Sequence, residues 1–213
     1  MKERPILFSA TMVRAILDGS KTQTRRVVKP QFHAEAVVAE VAATTAEGWQ
    51  TSGHSGLWWD DAGACFDDAI RCPYGMPGDR LWVREAWRTV AGADDIPPRD
   101  LMNVESFTHY EADSIKPAGM GKLRPGMFMP RWASRITLGI TGVRVQRLQD
   151  ISEQDARAEG ARCADLVTGR EVLLDQSLGS FVLHFRDLWD QINGAGAWDA
   201  NPWVWVVEFK RVK

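Results

Sequence analysis

The first thirty residues carry the pattern that most constrains the fold: a short strand, a short helix and a second strand. Residues 5–8 are apolar enough for a buried strand, and Ser9 is a typical N-cap for the helix that follows. Gly19 ends that helix, and residues 24–29 form a strand that stops at Pro30. The helix has one apolar face, formed by Met12, Val13, Ile16 and Leu17. This alternation of strand and helix predicts an α+β protein.

The junction between that helix and the second strand, residues 19–26, is dense in polar side chains. It reads Gly-Ser-Lys-Thr-Gln-Thr-Arg-Arg, with an amine, hydroxyls and two guanidiniums within eight residues. Lys21 and Thr24 are three residues apart, so in a turn their side chains share a face. Arg25 and Arg26 follow them as ligands for phosphate or carboxylate. The segment therefore predicts a functional site.

Composition and charge limit the classes to which the chain belongs. With 213 residues, 45% of them hydrophobic, it is long enough for one sizeable domain, and disorder throughout is excluded. The formal net charge is -2, so binding of nucleic acid would need a local basic patch. Three cysteines and an N-terminus without an apolar secretory signal predict a reduced, cytoplasmic protein. No apolar run approaches the roughly 20 residues of a membrane span, so no membrane partner is expected.

A single domain over residues 1–213 is expected, with two long insertions. Residues 31–70 are rich in small and acidic residues and show little periodicity, although residues 35–41 and 56–59 could add short strands. Residues 91–129 are a second irregular region, long enough to form a lid or a flanking surface.

The rest of the chain completes the predicted framework. Ser152 opens a capping box, which predicts a short helix that ends at Gly160. Gly142 shifts the alternation of apolar residues, so its segment forms either two strands or one bulged strand. The expected elements are strands at residues 80–88, 134–148 and 203–212, the short helix before Gly160, and a strongly periodic helix at residues 181–192.

Tryptophan is frequent in this chain, with ten tryptophans against two tyrosines. Trp82 lies near Arg84, and Trp132 follows Arg131, so these rings could stack on nucleobases. Large rings also fill the core of a small β-structure, because each buries much apolar area, and this second interpretation is favoured.

Glu85 is the most informative carboxylate. In a strand at residues 81–87 it lies on the same face as Leu81 and Val83, and a carboxylate on an inward face needs a cation or hydrogen-bond donors. Lys21 is the predicted partner. If Lys21, Thr24 and Glu85 converge, they supply an amine, a hydroxyl nucleophile and a proton donor, which are the parts of an amide hydrolase. The alternative is a buried ion pair between Lys21 and Glu85, with Thr24 capping the local backbone.

Two motifs make the chain resemble the ASCH domain, a PUA-like β-barrel superfamily associated with RNA. The first motif closes the N-terminal helix and is matched by Gly19, Lys21, Thr24 and Arg25. The second, Pro-Gly-Asp-Arg-Leu-Trp-Val-Arg-Glu, is matched by Gly78, Asp79 and Glu85. The strand at residues 203–209 is similar to the one that closes the barrel in phage and prophage members. The resemblance implies a five- or six-stranded, mostly antiparallel barrel with flanking helices, interrupted by the two insertions.

The resemblance also implies candidate activities. A small bacterial amidohydrolase of this superfamily acts on acetylated cytidine with a Lys, a Thr and a Glu, which would correspond here to Lys21 as general base, Thr24 as nucleophile and Glu85 as proton donor. Other members resemble ribonucleases or RNA binders, and a shared fold does not choose among these activities.

The function predicted from the sequence is therefore binding of RNA or a modified nucleoside in a basic cleft. An amidohydrolase acting on acylated cytidine and a ribonuclease are the alternatives. No cofactor or metal is expected, since His54, Cys65 and Cys72 match no standard zinc module. Beside the catalytic set, the predicted binding residues are Arg25, Arg26, Trp82, Arg84 and Arg131.

Overall fold

A computed structural model describes residues 1–31, 38–41, 55–59, 65–101, 108–113, 115–161 and 180–213, with backbone alone for the strands between residues 38 and 71. Its elements, in chain order, are β1 (Glu3–Leu7), α1 (Ala10–Leu17), β2 (Gln23–Val27), β3 (Val38–Val41), β4 (Ser55–Trp59), β5 (Cys65–Arg71), β6 (Arg80–Arg84), β7 (Trp87–Arg88), β8 (His109–Tyr110), β9 (Thr137–Arg147), α2 (Glu153–Ala158), α3 (Phe181–Asn193) and β10 (Trp203–Arg211). The predicted α+β class is confirmed.

The main sheet has five strands in the order β1-β6-β9-β10-β2. Its β1–β6 pair is parallel and the other pairs are antiparallel, so the sheet is mixed. Hydrogen bonds between the described strands do not close the sheet into a barrel, and β1 and β2 remain the two edge strands of the sheet. The edges approach at one point, where Arg26 of β2 donates from Nη2 to the carbonyl oxygen of Leu7 at 2.8 Å. The sheet is therefore strongly curved, and a side chain spans the gap.

The N-terminal helix forms as its local sequence predicts. Ser9 accepts a hydrogen bond from the amide of Met12, and Gly19 follows the helix with a φ of +82°, a conformation that favours glycine. Val13 and Ile16 enter the core between helix and sheet. The helix thereby delivers Lys21 and the rest of the polar junction to the start of β2.

Strand β10 is buried on both faces and separates two apolar clusters. Trp203, Trp205 and Phe209 pack on the α1 side, whereas Val204 and Val206 pack against α2 and α3. This confirms the interpretation of these tryptophans as core residues, and it fixes α3 beside β2. The 181–192 helix and the 203–212 strand are found within one residue of their predicted bounds.

The strand expected at residues 80–88 is interrupted. Strand β6 ends at Arg84, Glu85 and Ala86 lie outside any strand, and β7 pairs instead with β8 of the second insertion. The 134–148 segment is one strand, β9, whose pairing with β10 shifts register between Glu208 and Phe209. Strands β3, β4 and β5 of the first insertion form a separate three-stranded sheet. No helix among the described residues is long and apolar enough to cross a bilayer.

Candidate functional site

A cavity opens between β2 and α3, and we call it the central cavity. Its volume is about 50 Å³, which is smaller than that of ordinary small-ligand sites. Strand β2 contributes Thr24, Arg25 and Arg26, and Glu159 borders it at the end of α2. Its apolar wall consists of Met12, Phe185, Leu188, Trp189 and Ile192. The predicted polar junction therefore lies at a cavity.

Lys21 is fully engaged with Glu159. Its Nζ donates to the backbone oxygen of Glu159 at 2.7 Å and to Oε2 of the same residue at 2.9 Å. Both side chains are buried, at 1% and 4% exposure. Since a buried charge is costly without a partner, each group stabilises the other where neither could stay charged alone.

Arg25 fixes the second oxygen of the same carboxylate. Its Nη1 donates to Oε1 of Glu159 at 2.9 Å, and its Nη2 donates to Asp155 at 3.1 Å. Asp155 also accepts from Arg144, which extends the network to β9. The carboxylate of Glu159 is held from both sides, so its orientation toward the central cavity is defined.

Short helix α2 places Glu159 at this position. Ser152 caps its N-terminus by accepting from the amide of Asp155 at 3.0 Å, as the capping box predicts. Glu159 is the C-cap, and Gly160 follows with a φ of +80°. A Cβ at Gly160 would lie 3.0 Å from the Cβ of Ala15 and 3.2 Å from that of Lys21. Only glycine allows α1, α2 and the Lys21 segment to meet this closely.

Thr24 directly precedes Arg25 in β2. It is 1% exposed, borders the central cavity and faces Val207 in the β2–β10 register. Its hydroxyl makes no hydrogen bond to any residue that the structure describes. A hydroxyl that borders a cavity can form a hydrogen bond with a ligand there.

Burial lowers the pKa of Lys21, and the Glu159 carboxylate opposes this effect. Arg25 and Arg26 also lower the pKa of Lys21, because two neighbouring cations disfavour its charged form. A lysine in this position gives up its proton more readily than a solvated one.

The predicted pairing of Lys21 with Glu85 is wrong. Glu85 is 1% exposed, as its place in an apolar row required, but its two oxygens accept from Arg135 at 3.0 and 3.1 Å. Arg135 also binds Asp113 of the second insertion. Lys21 is not among the groups that perturb the pKa of Glu85, which burial raises and Arg135 lowers. The carboxylate that meets Lys21 is Glu159.

Three of the predicted binding residues lie away from the central cavity. Trp82 is 8% exposed, and the guanidiniums of Arg84 and Arg131 lie 4.6 and 5.9 Å from its ring centroid. Arg84 donates to the carbonyl of Met127, and Arg131 pairs with Glu3. The faces of this ring are engaged by protein cations, so the expectation that Trp82 stacks a nucleobase is not supported. Arg25 and Arg26 are the two predicted arginines that reach the cavity.

Asp79 of the second motif forms hydrogen bonds that hold the N-terminal strand in place. Its carboxylate accepts from the backbone amide of Lys2 at 2.7 Å and from Arg4 at 2.8 Å. Both contacts lower its pKa, the Lys2 amide most. Asp79 thus fastens the N-terminal strand to the turn before β6.

The described residues hold no group of three side chains arranged to bind a metal. Of the three residues weighed for a metal site, His54 and the side chain of Cys65 lie outside the described part, and Cys72 is a buried free thiol.

The sequence prediction missed Glu159 and Asp155, which complete the site. One signal for Glu159 was available: it ends a helix, where the macrodipole disfavours a carboxylate, so this residue needs a cation from elsewhere. The identity of that cation was not available, because Lys21 lies 138 residues away.

Comparison of the chain with protein-family models finds no match, and comparisons with curated proteins and with solved structures find none either. The resemblance to the ASCH domain therefore rests on the two motifs.

Proposed function

We propose that the protein is an amidohydrolase that removes an acyl group from the exocyclic amine of a nucleobase such as cytosine. The observation that carries the proposal is that Thr24 and Glu159 both border the central cavity, with Lys21 hydrogen-bonded to Glu159. Kinship with the ASCH domain and a PUA-like barrel remain part of this proposal, and acylated cytidine is the substrate class that the resemblance suggests.

The Lys21–Glu159 hydrogen bond supplies both an acid and a base. Moving one proton along it converts the ammonium and carboxylate into a neutral amine and a protonated carboxyl, and burial favours the neutral amine by lowering the pKa of Lys21. Lys21 then takes the proton of Thr24 as Oγ attacks the acyl carbon. The carbon–nitrogen bond breaks, and Glu159 gives its proton to the leaving amine.

Water completes the cycle. It attacks the acyl ester on Thr24 and gives a proton to the Glu159 carboxylate, while the Lys21 ammonium returns a proton to the Thr24 oxygen. A carboxylic acid leaves, and the neutral pair is restored. Arg25 holds Glu159 oriented through both steps without exchanging a proton.

The test is release of cytidine from 4-N-acetylcytidine, followed by chromatography. Thr24→Val keeps the shape of the side chain and removes the nucleophile, so turnover should fall by at least about 100-fold. Thr22→Val is the matched control, because Thr22 is exposed and does not border the central cavity. A folded wild type that releases no cytidine would reject the proposal.

Binding of RNA or a nucleoside without turnover is the second candidate. It is favoured by the engagement of Lys21 with a carboxylate, since that contact also suits a structural ion pair. A pure binder should show salt-dependent affinity that Thr24→Val leaves unchanged. The ribonuclease alternative would be recognised by cleavage of single-stranded RNA and indifference to the nucleoside.

A further inference from the structure

A second and larger cavity lies at the end of β2, and we call it the Lys29 cavity. Its volume is about 530 Å³, within the range of ordinary small-ligand sites. Arg26 of β2 and Lys29 just after it form one side, and the turn at Pro73 and Tyr74 also borders it. The central cavity, at about 50 Å³, is much smaller. The Lys29 cavity therefore has room for a small molecule that the central cavity cannot enclose.

Hydrogen bonds within the protein hold the C-terminal wall of the Lys29 cavity in place. The amide of Trp198 donates to the carboxylate of Asp190 in α3 at 2.7 Å. Gln149 donates from Nε2 to the carbonyl oxygen of Trp198 at 3.0 Å, and its amide donates to Oδ1 of Asn201 at 2.9 Å. These bonds fasten the segment 197–202, which lends three residues to the cavity lining. A wall that is already ordered costs a ligand little conformational entropy.

Positive charge at the Lys29 cavity has no carboxylate to neutralise it in the part of the chain that the structure describes. There, Arg26 and Lys29 form no salt bridge, and the cavity lining contains neither Asp nor Glu. Arg26 donates instead to the backbone oxygen of Leu7 at 2.8 Å. Burial raises the pKa of the Tyr74 phenol, although Arg26 opposes this effect, so Tyr74 adds no negative charge near neutral pH. The lining therefore favours an anionic ligand.

Trp189 brings a hydrogen-bond donor that the protein leaves unused. This residue is 5% exposed, and its buried Nε1 has no acceptor among the described residues. A buried N–H without an acceptor costs free energy, which a ligand oxygen would recover. Trp189 and Arg26 both border the central cavity as well as the Lys29 cavity, so they approach the Lys29 cavity from the same side. The unused donor and the guanidinium can therefore serve one anionic group.

The rest of the lining is mostly apolar and is rich in rings. Tyr74 and Trp205 contribute aromatic rings, and Pro73 and Pro202 contribute proline rings. Planar aromatic groups bury much apolar area against surfaces of this kind. The ligand that fits this lining has a flat apolar body and a negatively charged end.

We propose that the Lys29 cavity binds a small aromatic carboxylate. The carboxylate meets the charges of Arg26 and Lys29 and accepts a hydrogen bond from Nε1 of Trp189, while the rings of the ligand lie against Tyr74 and the prolines. Charge-assisted hydrogen bonds of this kind are stronger than neutral ones. This site lies beyond the proposed hydrolase chemistry and does not depend on it.

Binding of 2-naphthoate, measured by isothermal titration calorimetry, tests the proposal. The controls are 2-naphthamide, which keeps the rings without the charge, and acetate, which keeps the charge without the rings. The wild type should bind 2-naphthoate at least about tenfold more tightly than either control. In protein labelled with nitrogen-15, the indole resonance that Trp189→Phe removes should shift on binding more than the other indole resonances.

Two variants and two matched controls locate the site. Lys29→Gln removes an exposed cation and should weaken binding of 2-naphthoate about threefold. Trp189→Phe removes the donor to a charged acceptor and should weaken it at least about tenfold. Lys116→Gln and Trp132→Phe change a lysine and a tryptophan that do not border the Lys29 cavity, and they should leave the Kd unchanged.

Three results would each overturn the proposal: binding of 2-naphthoate no tighter than that of acetate, a Trp189 resonance that does not move at saturation, or equal effects of the variants and their controls. Urea unfolding checks that each variant folds. Because Lys29 is exposed, Lys29→Gln tests the cavity even where Trp189→Phe fails to fold. None of these measurements uses an acylated substrate, so failure here would leave the proposed hydrolase standing.

Discussion

The ε-ammonium of Lys21 donates to both the backbone oxygen and the carboxylate of Glu159, at 2.7 and 2.9 Å. The same two segments pair through their backbones, since Lys21 and Glu159 form an isolated β-bridge and the amide of Thr22 donates to Ala158. The beginning of β2 is thereby fastened to the end of α2. Side-chain chemistry at the central cavity depends on this attachment.

Gly160 should be more sensitive to substitution than Gly19, although both have a φ near +80°. Alanine at Gly19 meets no atom within 4 Å, so it should cost only the left-handed backbone, about 1 kcal/mol. Alanine at Gly160 adds contacts with the Cβ atoms of Ala15 and Lys21, which are attached to backbone and cannot swing aside. We expect a total of about 2–4 kcal/mol, measured by urea unfolding. Equal losses for the two variants would show that the α2 attachment is loose.

Hydrolysis should be lost at high pH because the Lys21–Glu159 pair loses its last proton. Burial lowers the pKa of Lys21, so the pair should deprotonate below the usual lysine value of about 10.4. The profile of kcat/KM for 4-N-acetylcytidine, corrected for spontaneous hydrolysis, should therefore fall before about pH 10.4. A rate that still rises through that pH would mean that Glu159 supplies no proton.

Asp79 should contribute stability that acid removes. The Lys2 amide and Arg4 lower its folded pKa, so its contribution is complete above the unfolded value of about 3.9 and is lost as pH falls through the folded pKa. Asp79→Asn should be less stable than the wild type at pH 7, and the difference should shrink below about pH 4. Urea midpoints across this range measure it. Asp187→Asn, at an exposed aspartate, is the control, and a gap between wild type and Asp79→Asn that stays constant would contradict the assignment.

Local signals predicted the elements that carry the site. Ser9 and Gly19 bound α1 because capping and left-handed backbone are decided by neighbouring residues. The alternation in residues 203–212 predicted β10 for the same reason, since each apolar residue is sorted to a face by the strand period. Burial of Glu85 also followed from its position in an apolar row.

Local sequence signals did not predict which distant residues the charged side chains would contact. From the sequence, both Glu85 and Glu159 were possible partners of Lys21. In the curved sheet, with β6 ending at Arg84, Glu85 pairs with Arg135 and Glu159 pairs with Lys21. Trp82 illustrates the same limit, because its neighbouring arginines are predicted by sequence but their stacking on its ring is a tertiary outcome. Charge alone did not distinguish Arg25 and Arg26, which border the central cavity, from Arg84 and Arg131, which lie beside Trp82.

The most direct measurement is a comparison of Glu159→Gln with Glu85→Gln in the release of cytidine from 4-N-acetylcytidine. Each change removes a carboxylate and keeps the size of the side chain, and urea unfolding of both variants checks that they fold. Glu159→Gln should lower kcat/KM by at least about 100-fold, because the amide cannot give a proton, while Glu85→Gln retains turnover. Loss of turnover in Glu85→Gln together with an active Glu159→Gln would contradict the account.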